Sequence, residues 1–286
     1  MPTRNILVTG GCGFIGSNFI KYLLTDSEVE KDISIINLDK LTYAALGNNI
    51  EHAGLSADAR YRFVKGDIAN KQVVEEIFSR FKPEIVFNFA AESHVDRSIE
   101  KAEDFVMTNV VGTANLLDAA LRHSVRRVVH ISTDEVFGSA KEGSFSENDN
   151  LNPSSPYAAA KAAADLVALS YFKTHKLPIV ITRSANNYGP YQFPEKLLPL
   201  FITNLIEKKP VPLMWSDENP GLNVRDWLHV NDNCRAIFHV AMQGKEGEIY
   251  NIPGNNERTN IEMTRLLLKH FNYDDEMIEK ITHRKG

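Results

Sequence analysis

The chain has 286 residues, 43 % apolar and 24 % charged, with a formal net charge of −5; this is enough for one large domain or two smaller ones with a real core. With no Lys/Arg run, that charge balance argues against a general nucleic-acid binder. Cys12 and Cys234 are the only cysteines, too few for a disulfide framework and in no zinc-ligand spacing, and no apolar run nears the roughly 18 residues of a membrane span.

The chain opens directly on a strand pattern, RNILVTG, so no secretory leader is expected and a reduced cytoplasmic setting is the default. Apolar, β-branched runs follow at 5–10, 33–38, 61–64, 84–89, 126–131 and 178–183. Their near-continuous hydrophobicity is that of parallel strands covered on both faces. Helical patterns lie between them at 14–25, 70–80, 98–122 and 156–175. The alternation predicts an α/β fold, a Rossmann-type doubly wound parallel sheet. Beyond 183 the pattern is broken by Pro190, Pro194, Pro199, Pro210, Pro212 and Pro220. A helix at 230–243, a strand at 248–252 and helical patterns at 259–271 and 275–281 complete the chain. Residues 1–182 with about 227–252 therefore read as a dinucleotide-binding domain. Residues 183–226 and 253–286 read as a smaller mixed α/β substrate-binding lobe.

The first strand runs into VTGGCGFIGSNFIKYLL. Gly10, Gly13 and Gly16 fit one glycine fingerprint, and Gly11, Gly13 and Gly16 another. Glycines there permit a tight turn and bring a helix N-terminus against a pyrophosphate. Asp39 ends the second strand, where an acid accepts hydrogen bonds from an adenosine ribose. Its charge would repel a 2′-phosphate, so NAD is favoured over NADP, an inference that the neighbouring Lys40 weakens. Asp67 and Ile68, after the third strand, are placed to flank an adenine.

The fifth strand ends in VHISTDEVFG, with Ser132, Thr133, Asp134 and Glu135 in succession. Two adjacent acids at a strand mouth point to proton transfer, the bland alternative being a solvated turn. Downstream, SSPYAAAK offers Ser155 as a helix N-cap, Pro156 at the first helical position and Tyr157 in the first turn. Lys161 shares a face with Tyr157 at i, i+4. The ammonium and an oxidised nicotinamide would both favour the phenolate. Lowering a phenol by about three units takes roughly 4 kcal/mol.

Together TGGCGFIG, Asp39, STDEVFG and YAAAK resemble the extended short-chain dehydrogenase/reductase family. NFAAESHVDRSI, RSANNYGPYQFPEKLLP, NVRDWLHV and YNIPGNNERTN narrow the resemblance to the dTDP-glucose 4,6-dehydratases, over almost the whole chain. The resemblance implies a homodimeric, NAD-dependent lyase. Tyr157 would take the O4 proton, aligned by Thr133, as C4 hydride moves to NAD. Glu135 would remove the C5 proton while Asp134 protonates the leaving C6 hydroxyl. Hydride would then return to C6, with Glu135 giving the proton back to C5. A simple 4-epimerase of this fold needs no such carboxyl pair. UDP-glucose dehydration, 4-epimerisation and a non-catalytic NAD-binding module remain the alternatives.

The resemblance also assigns contacts. Cofactor contacts fall on Phe14, Ile15, Lys40, Leu41 and Thr42, on Phe89, Ala90 and Ala91, and on Thr108 and Asn187. Substrate contacts fall on Ser93, Asn186, Lys196 and Leu197, on Pro212, Leu213 and Met214, and on Arg225 and Asn256. Arg225 could instead pair with Asp226, and a lone His94 is more often structural than a base. Helices 98–122 and 156–175 are implied to pair two copies, although their apolar stripes would equally serve the core. Three features depart from the pattern. MWSDENPGLNVRDW is longer than the usual turn, leaving thymine or uracil preference open. Phe137 and Cys12 replace the usual tyrosine and alanine. The chain also stops at THRKG, where a further basic segment is expected.

Overall fold

The computed structural model describes residues 4–45, 49–140 and 143–282; the expectation about the THRKG end falls largely outside them. The strands are β1 (Arg4–Thr9), β2 (Ile33–Asp39), β3 (Tyr61–Lys65), β4 (Ile85–Asn88), β5 (Arg127–Thr133), β6 (Ile179–Ser184), β7 (Asn186–Tyr188), β8 (Val211–Met214), β9 (Val224–His229), β10 (Ile249–Ile252), β11 (Glu257–Thr259) and β12 (Ile278–Ile281). Seven form one sheet in the order β10-β6-β5-β4-β1-β2-β3, every neighbouring pair parallel. The order reverses between β1 and β4, and that switch point is where a doubly wound sheet opens a crevice at its strand ends.

The helices are α1 (Phe14–Thr25), α2 (Asn49–His52), α3 (Lys71–Phe81), α4 (Val95–Glu100), α5 (Ala102–Phe105), α6 (Thr113–Arg122), α7 (Pro156–His175), α8 (Leu197–Ile206), α9 (Val230–Gln243) and α10 (Asn260–His270). Alternation along each strand feeds two cores. Ile6 and Val8 of β1 join Phe19 and Ile20 of α1 and Cys234 and Ile237 of α9. Leu7 faces the other way, with Ile77 and Phe78 of α3, Leu116 and Leu117 of α6 and Ala168 of α7. Phe19 and Phe87 rings meet at 4.5 Å, tying α1 to the sheet.

Two sequence expectations need correction. Residues 98–122 are not one helix: Lys101 leaves helical geometry (φ −141°, ψ 70°) between α4 and α5, and 106–112 widens into a π-helical segment before α6. There Asn109 is buried and clamps residue 92, its Oδ1 accepting from Glu92 N at 2.9 Å and its Nδ2 donating to Glu92 O at 3.1 Å. Residues 275–281 are not helical either, but form a short 3₁₀ turn and then β12. Parallel pairing with β8 satisfies that backbone and overrides a helix-like spacing of Met277, Ile278 and Ile281.

Two small sheets, β11-β9-β7 and β12-β8, lie outside the main one. A separate cluster of Phe201, Leu205, Val211 and Leu268 packs α8 and α10 against β8.

Candidate active site

The turn after β1 is built around contacts that only glycine allows. Gly10 has φ +70°, and a Cβ there would lie 2.6 Å from Ala90 N. Gly16 would drive a Cβ into Gly10 O, and Gly11 one into the Asn37 side chain. Gly13 differs: a Cβ there would meet only Gly10 O, at 3.3 Å. It is also the N-cap of α1 and offers no side-chain cap, so the first N–H groups of the helix and its positive dipole end face the cleft.

Asp39 is 6 % exposed. Its Oδ2 accepts from Cys12 N at 2.9 Å and its Oδ1 from Leu41 N at 2.7 Å, and burial raises its pKa despite those bonds. Lys40 Nζ pairs with Glu92 at 2.9 Å and donates to Thr108 Oγ1 at 2.9 Å. Its charge is therefore already engaged, which removes the reservation it raised about NAD. Burial pushes the Cys12 thiol up to about 12, so Cys12 is an inert part of the turn.

A cleft of about 230 Å³ runs along these strand ends. It is lined by Gly10, Gly13, Phe14, Ile15 and Gly16, by Asp39, Lys40 and Thr42, and by Asp67 and Ile68. Phe89, Ala90, Ala91, Ser93, Thr108, Tyr157, Lys161 and Lys196 continue the same wall. An uncapped glycine-rich helix start, a buried acid at the end of β2 and an elongated cleft between them fit an adenine dinucleotide. Ala44, Ala45, Gln192, Phe193 and Glu195 also line it, and sequence reasoning missed them. Two loops meet here: Tyr43 Oη donates to Glu195 Oε1 at 3.1 Å, and Tyr43 and Phe193 touch edge to face at 5.5 Å. The Arg97 guanidinium lies 3.4 Å from the centre of the Tyr43 ring. His94 Nε2 is 3.5 Å from Glu195 Oε2 while its Nδ1 caps α4, which is the structural use.

At the mouth of β5, Thr133 is the N-cap of a 3₁₀ turn over Asp134–Phe137, its Oγ1 accepting from Glu135 N at 3.3 Å. Thr133 Oγ1 also donates to Asp134 Oδ1 at 3.3 Å. Burial and then the Glu135 charge raise Asp134 to about 6, against the pull of Arg225. Burial also raises Glu135, but two cations, Lys196 and Arg225, oppose it. The adjacent carboxyls thus sit in unequal fields.

Ser155 Oγ accepts from Ala158 N at 3.1 Å with Pro156 at the helix start, so Tyr157 is in the first turn as expected. The electrostatics differ from expectation. Burial, followed by the Glu135 charge, holds the Tyr157 phenol well above its ordinary value. Lys161 Nζ donates to Ile131 O at 2.6 Å, and burial draws its own pKa down to about 8. The protein's own groups therefore do not prepare a phenolate; the remaining positive charge must arrive with the ligand.

Asn186 pairs in register with Trp227 and Asn187 with Leu228. Asn187 Nδ2 donates to Ala185 O at 3.0 Å, and its buried Oδ1 has no partner. Lys196 donates to Ser93 O at 3.2 Å, and Leu197 opens α8. Leu213 is 1 % exposed and packs beneath Gly221, so its side chain faces the lobe's interior; Pro212 and Met214 flank it half-buried. Asp226 accepts from Gly254 N at 2.7 Å and Asn256 N at 2.9 Å. It thereby orients the loop that carries Asn256 instead of pairing with Arg225. The long segment after β8 is organised by Asn219, whose Oδ1 accepts from Leu222 N at 2.8 Å and whose Nδ2 donates to Asn223 Oδ1 at 2.6 Å. Phe137 stacks on Phe145 at 5.0 Å.

Comparison with known proteins is consistent across sequence and structure. The family model described as GDP-mannose 4,6 dehydratase matches residues 7–285. A dTDP-glucose 4,6-dehydratase of Streptomyces antibioticus is 48 % identical over 284 residues, spanning 99 % of this chain and 82 % of that one. The crystal structure of DesIV, a dTDP-glucose 4,6-dehydratase from Streptomyces venezuelae with NAD bound, superposes with a TM-score of 0.93 at 48 % identity, covering 98 % of this chain and 85 % of that one. A UDP-glucose 4-epimerase from Thermotoga maritima shares the fold at 28 % identity and a TM-score of 0.86, over 99 % of this chain and 87 % of the other.

Proposed function

The chain belongs to the GDP-mannose 4,6-dehydratase family, and from that premise we propose that it converts dTDP-glucose to dTDP-4-keto-6-deoxyglucose with NAD as cofactor. It is a hydro-lyase. The observation that carries this reading is the half-buried pair Asp134–Glu135 at the mouth of β5, because expelling water across C5–C6 needs an acid and a base at once.

NAD, when bound, would supply the removal of hydride from C4 and its delivery to C6 once water has left, so the ketone at C4 remains and the cofactor is restored. Gly10, Gly13 and Gly16 form the pyrophosphate seat and Asp39 receives the ribose. Thr133 and Tyr157 hold O4, and Tyr157 accepts its proton. The resulting ketone acidifies C5. Glu135 removes that proton, while Asp134, whose pKa burial raises to about 6, delivers one to the departing O6. Glu135 then returns its proton to C5. Each such transfer is worth about 10²–10⁴-fold. Arg225 and Lys196 favour anionic Glu135 before the proton moves. The lobe of 183–226 and 253–286, with Asn186, Leu197, Pro212, Met214 and Asn256, receives the nucleotide end.

The chain pairs with a second copy through α4–α7, where Ile99, Val106, Met107 and Leu166 are exposed. No helix among the described residues is long and apolar enough to cross a membrane. Two free, buried cysteines suit a cytoplasmic enzyme.

The test is incubation with dTDP-glucose and, separately, UDP-glucose, followed by the alkali-induced absorbance of a 4-keto-6-deoxy sugar. The expected result is product from dTDP-glucose. An epimerised sugar would reassign the chain to the epimerases, and bound NAD without turnover would reduce it to a binding module.

A further inference from the structure

Residues 189–196 form a strap along the cleft, leaving β7 directly after Asn186 and Asn187 and ending at Lys196, just before α8. The strap turns at Tyr191, whose φ of +69° is an uncommon state for a residue other than glycine. Its near end is fixed to the helix whose start seats the pyrophosphate: Asn18 of α1, 4 % exposed, donates from Nδ2 to Pro190 O at 2.8 Å. Gln192 Nε2 donates back to Asn187 O at 2.9 Å. At the far end Lys196 Nζ donates to Ser93 O at 3.2 Å. Between these anchors Gln192, Phe193 and Glu195 line the cleft.

The loop after β2 grows from the acid that receives the ribose. Asp39 Oδ1 accepts from Leu41 N at 2.7 Å, and Leu41 is itself in left-handed geometry, φ +58°. Thr42 and Ala45 then line the cleft, while Tyr43 turns to the strap. Its ring meets Phe193 edge to face at 5.5 Å, and its Oη donates to Glu195 Oε1 at 3.1 Å. Arg97 of α4 closes on the same ring, its guanidinium carbon 3.4 Å from the centre. The other Glu195 oxygen is 3.5 Å from His94 Nε2. Three chain segments that border the cleft therefore converge on one tyrosine. Tyr43 is 37 % exposed, and contacts of that kind add little to global stability. Their consequence is local: they decide which loops must move together.

We propose that Tyr43 is the catch of this strap and couples the two ligand sites, so that a sugar nucleotide seated against Lys196 and Leu197 slows the escape of NAD. The identity of both ligands rests on the function proposed above. For NAD to leave, the loop after β2 must swing aside. Through Tyr43 it can do so only by drawing the strap with it or by breaking the bond to Glu195. A nucleotide held at the α8 end favours the closed strap, because it binds that arrangement more tightly than the open one. The two ligands then share one closing motion, and each is retained better when the other is present. Without the catch, the cofactor loop would open alone.

The test is exchange of labelled NAD into the NAD-loaded chain, timed with and without saturating dTDP. In the unaltered protein dTDP should slow the exchange about fivefold or more. Tyr43→Phe keeps the ring between Phe193 and Arg97 and removes only the donor, so the slowing should fall to about twofold or less. Glu195→Ala should do the same, and the double variant should lose no more than either alone, as one shared contact requires. Glu195→Gln keeps an oxygen for the hydroxyl and should retain most of the slowing. A residue that merely stabilised the fold would leave this ratio of rates unchanged. Equal slowing in Tyr43→Phe and the unaltered chain would overturn the proposal, as would no slowing in the unaltered chain when calorimetry shows dTDP bound. If dTDP does not bind at all, the functional reading falls instead, and exchange without it decides the catch. Tyr43→Phe must then exchange NAD at least about threefold faster than the unaltered chain; equal rates would overturn the proposal.

Discussion

A carboxylic acid that must give up a proton has to retain one at the working pH, and its neighbour must lack one. Burial and the Glu135 charge raise Asp134 to about 6, so it keeps its proton to higher pH than an ordinary aspartate, while Lys196 and Arg225 oppose the rise of Glu135. Two expectations follow at single residues. Glu135→Gln should leave C4 oxidation intact and halt elimination, so that reduced cofactor accumulates on mixing with dTDP-glucose; undiminished product would show that the base is another group. Asp134→Asn should lower product formation at least about 10²-fold while stabilising the protein. An Asp whose folded pKa lies above its unfolded value binds its proton more tightly when folded. Stability is therefore lost as pH rises from about 4 to about 6, and the loss persists above that range. The amide removes this cost, as much as about 3 kcal/mol for a rise of some two units. Urea unfolding of both proteins at neutral pH and near pH 4 should show the gain only at neutral pH.

Elements were readable where the chain advertises them locally. The strands at 5–10, 33–38, 84–89, 126–131 and 178–183 were legible because buried parallel strands are apolar on both faces, and the start of α7 because Ser155 and Pro156 mark it; those at 61–64 and 248–252 form the two edges of the sheet and are only partly covered. Short strands such as β7 and β11, on either side of β9, owe their existence to pairing partners far along the chain, and their sequences carry no period. The π-helical segment at 106–112 depends on packing of Asn109 against residue 92, which no helical template contains. The glycine turn supports a paired prediction at this scale. Gly10→Ala forces a side chain into positive φ and against Ala90, and should cost about 2 kcal/mol or more of stability. Gly13→Ala fills space in the cleft instead. It should unfold like the parent and bind NAD about tenfold more weakly or worse, a loss of ~1.4 kcal/mol, measurable by calorimetry. Equal effects on stability would contradict the distinction.

Across the whole molecule, the contiguous motifs gave most of the cleft lining, including Tyr157 and Lys161, while Thr133, Asp134 and Glu135 continue from the end of β5. The long-range connections were hidden: Tyr43 and Glu195 are 152 residues apart, and the pairing of Asp165 with Arg183 is made only when α7 packs on the sheet. The exposed apolar residues on α4–α7 bear on assembly. Leu166, 58 % exposed, is the position at which Leu166→Glu should shift the chain from dimer to monomer in sedimentation, without changing the NAD affinity of the protomer.

The junction of Tyr43 with Glu195 and Phe193 joins two loops that both border the cleft. An oxidising catalyst of the ordinary kind must open after every turnover to trade its spent carrier for a fresh one. Here the electrons go back into the same sugar, so the joined loops need admit only the sugar nucleotide and discharge its product. Output should then be insulated from swings in the surrounding ratio of oxidised to reduced carrier.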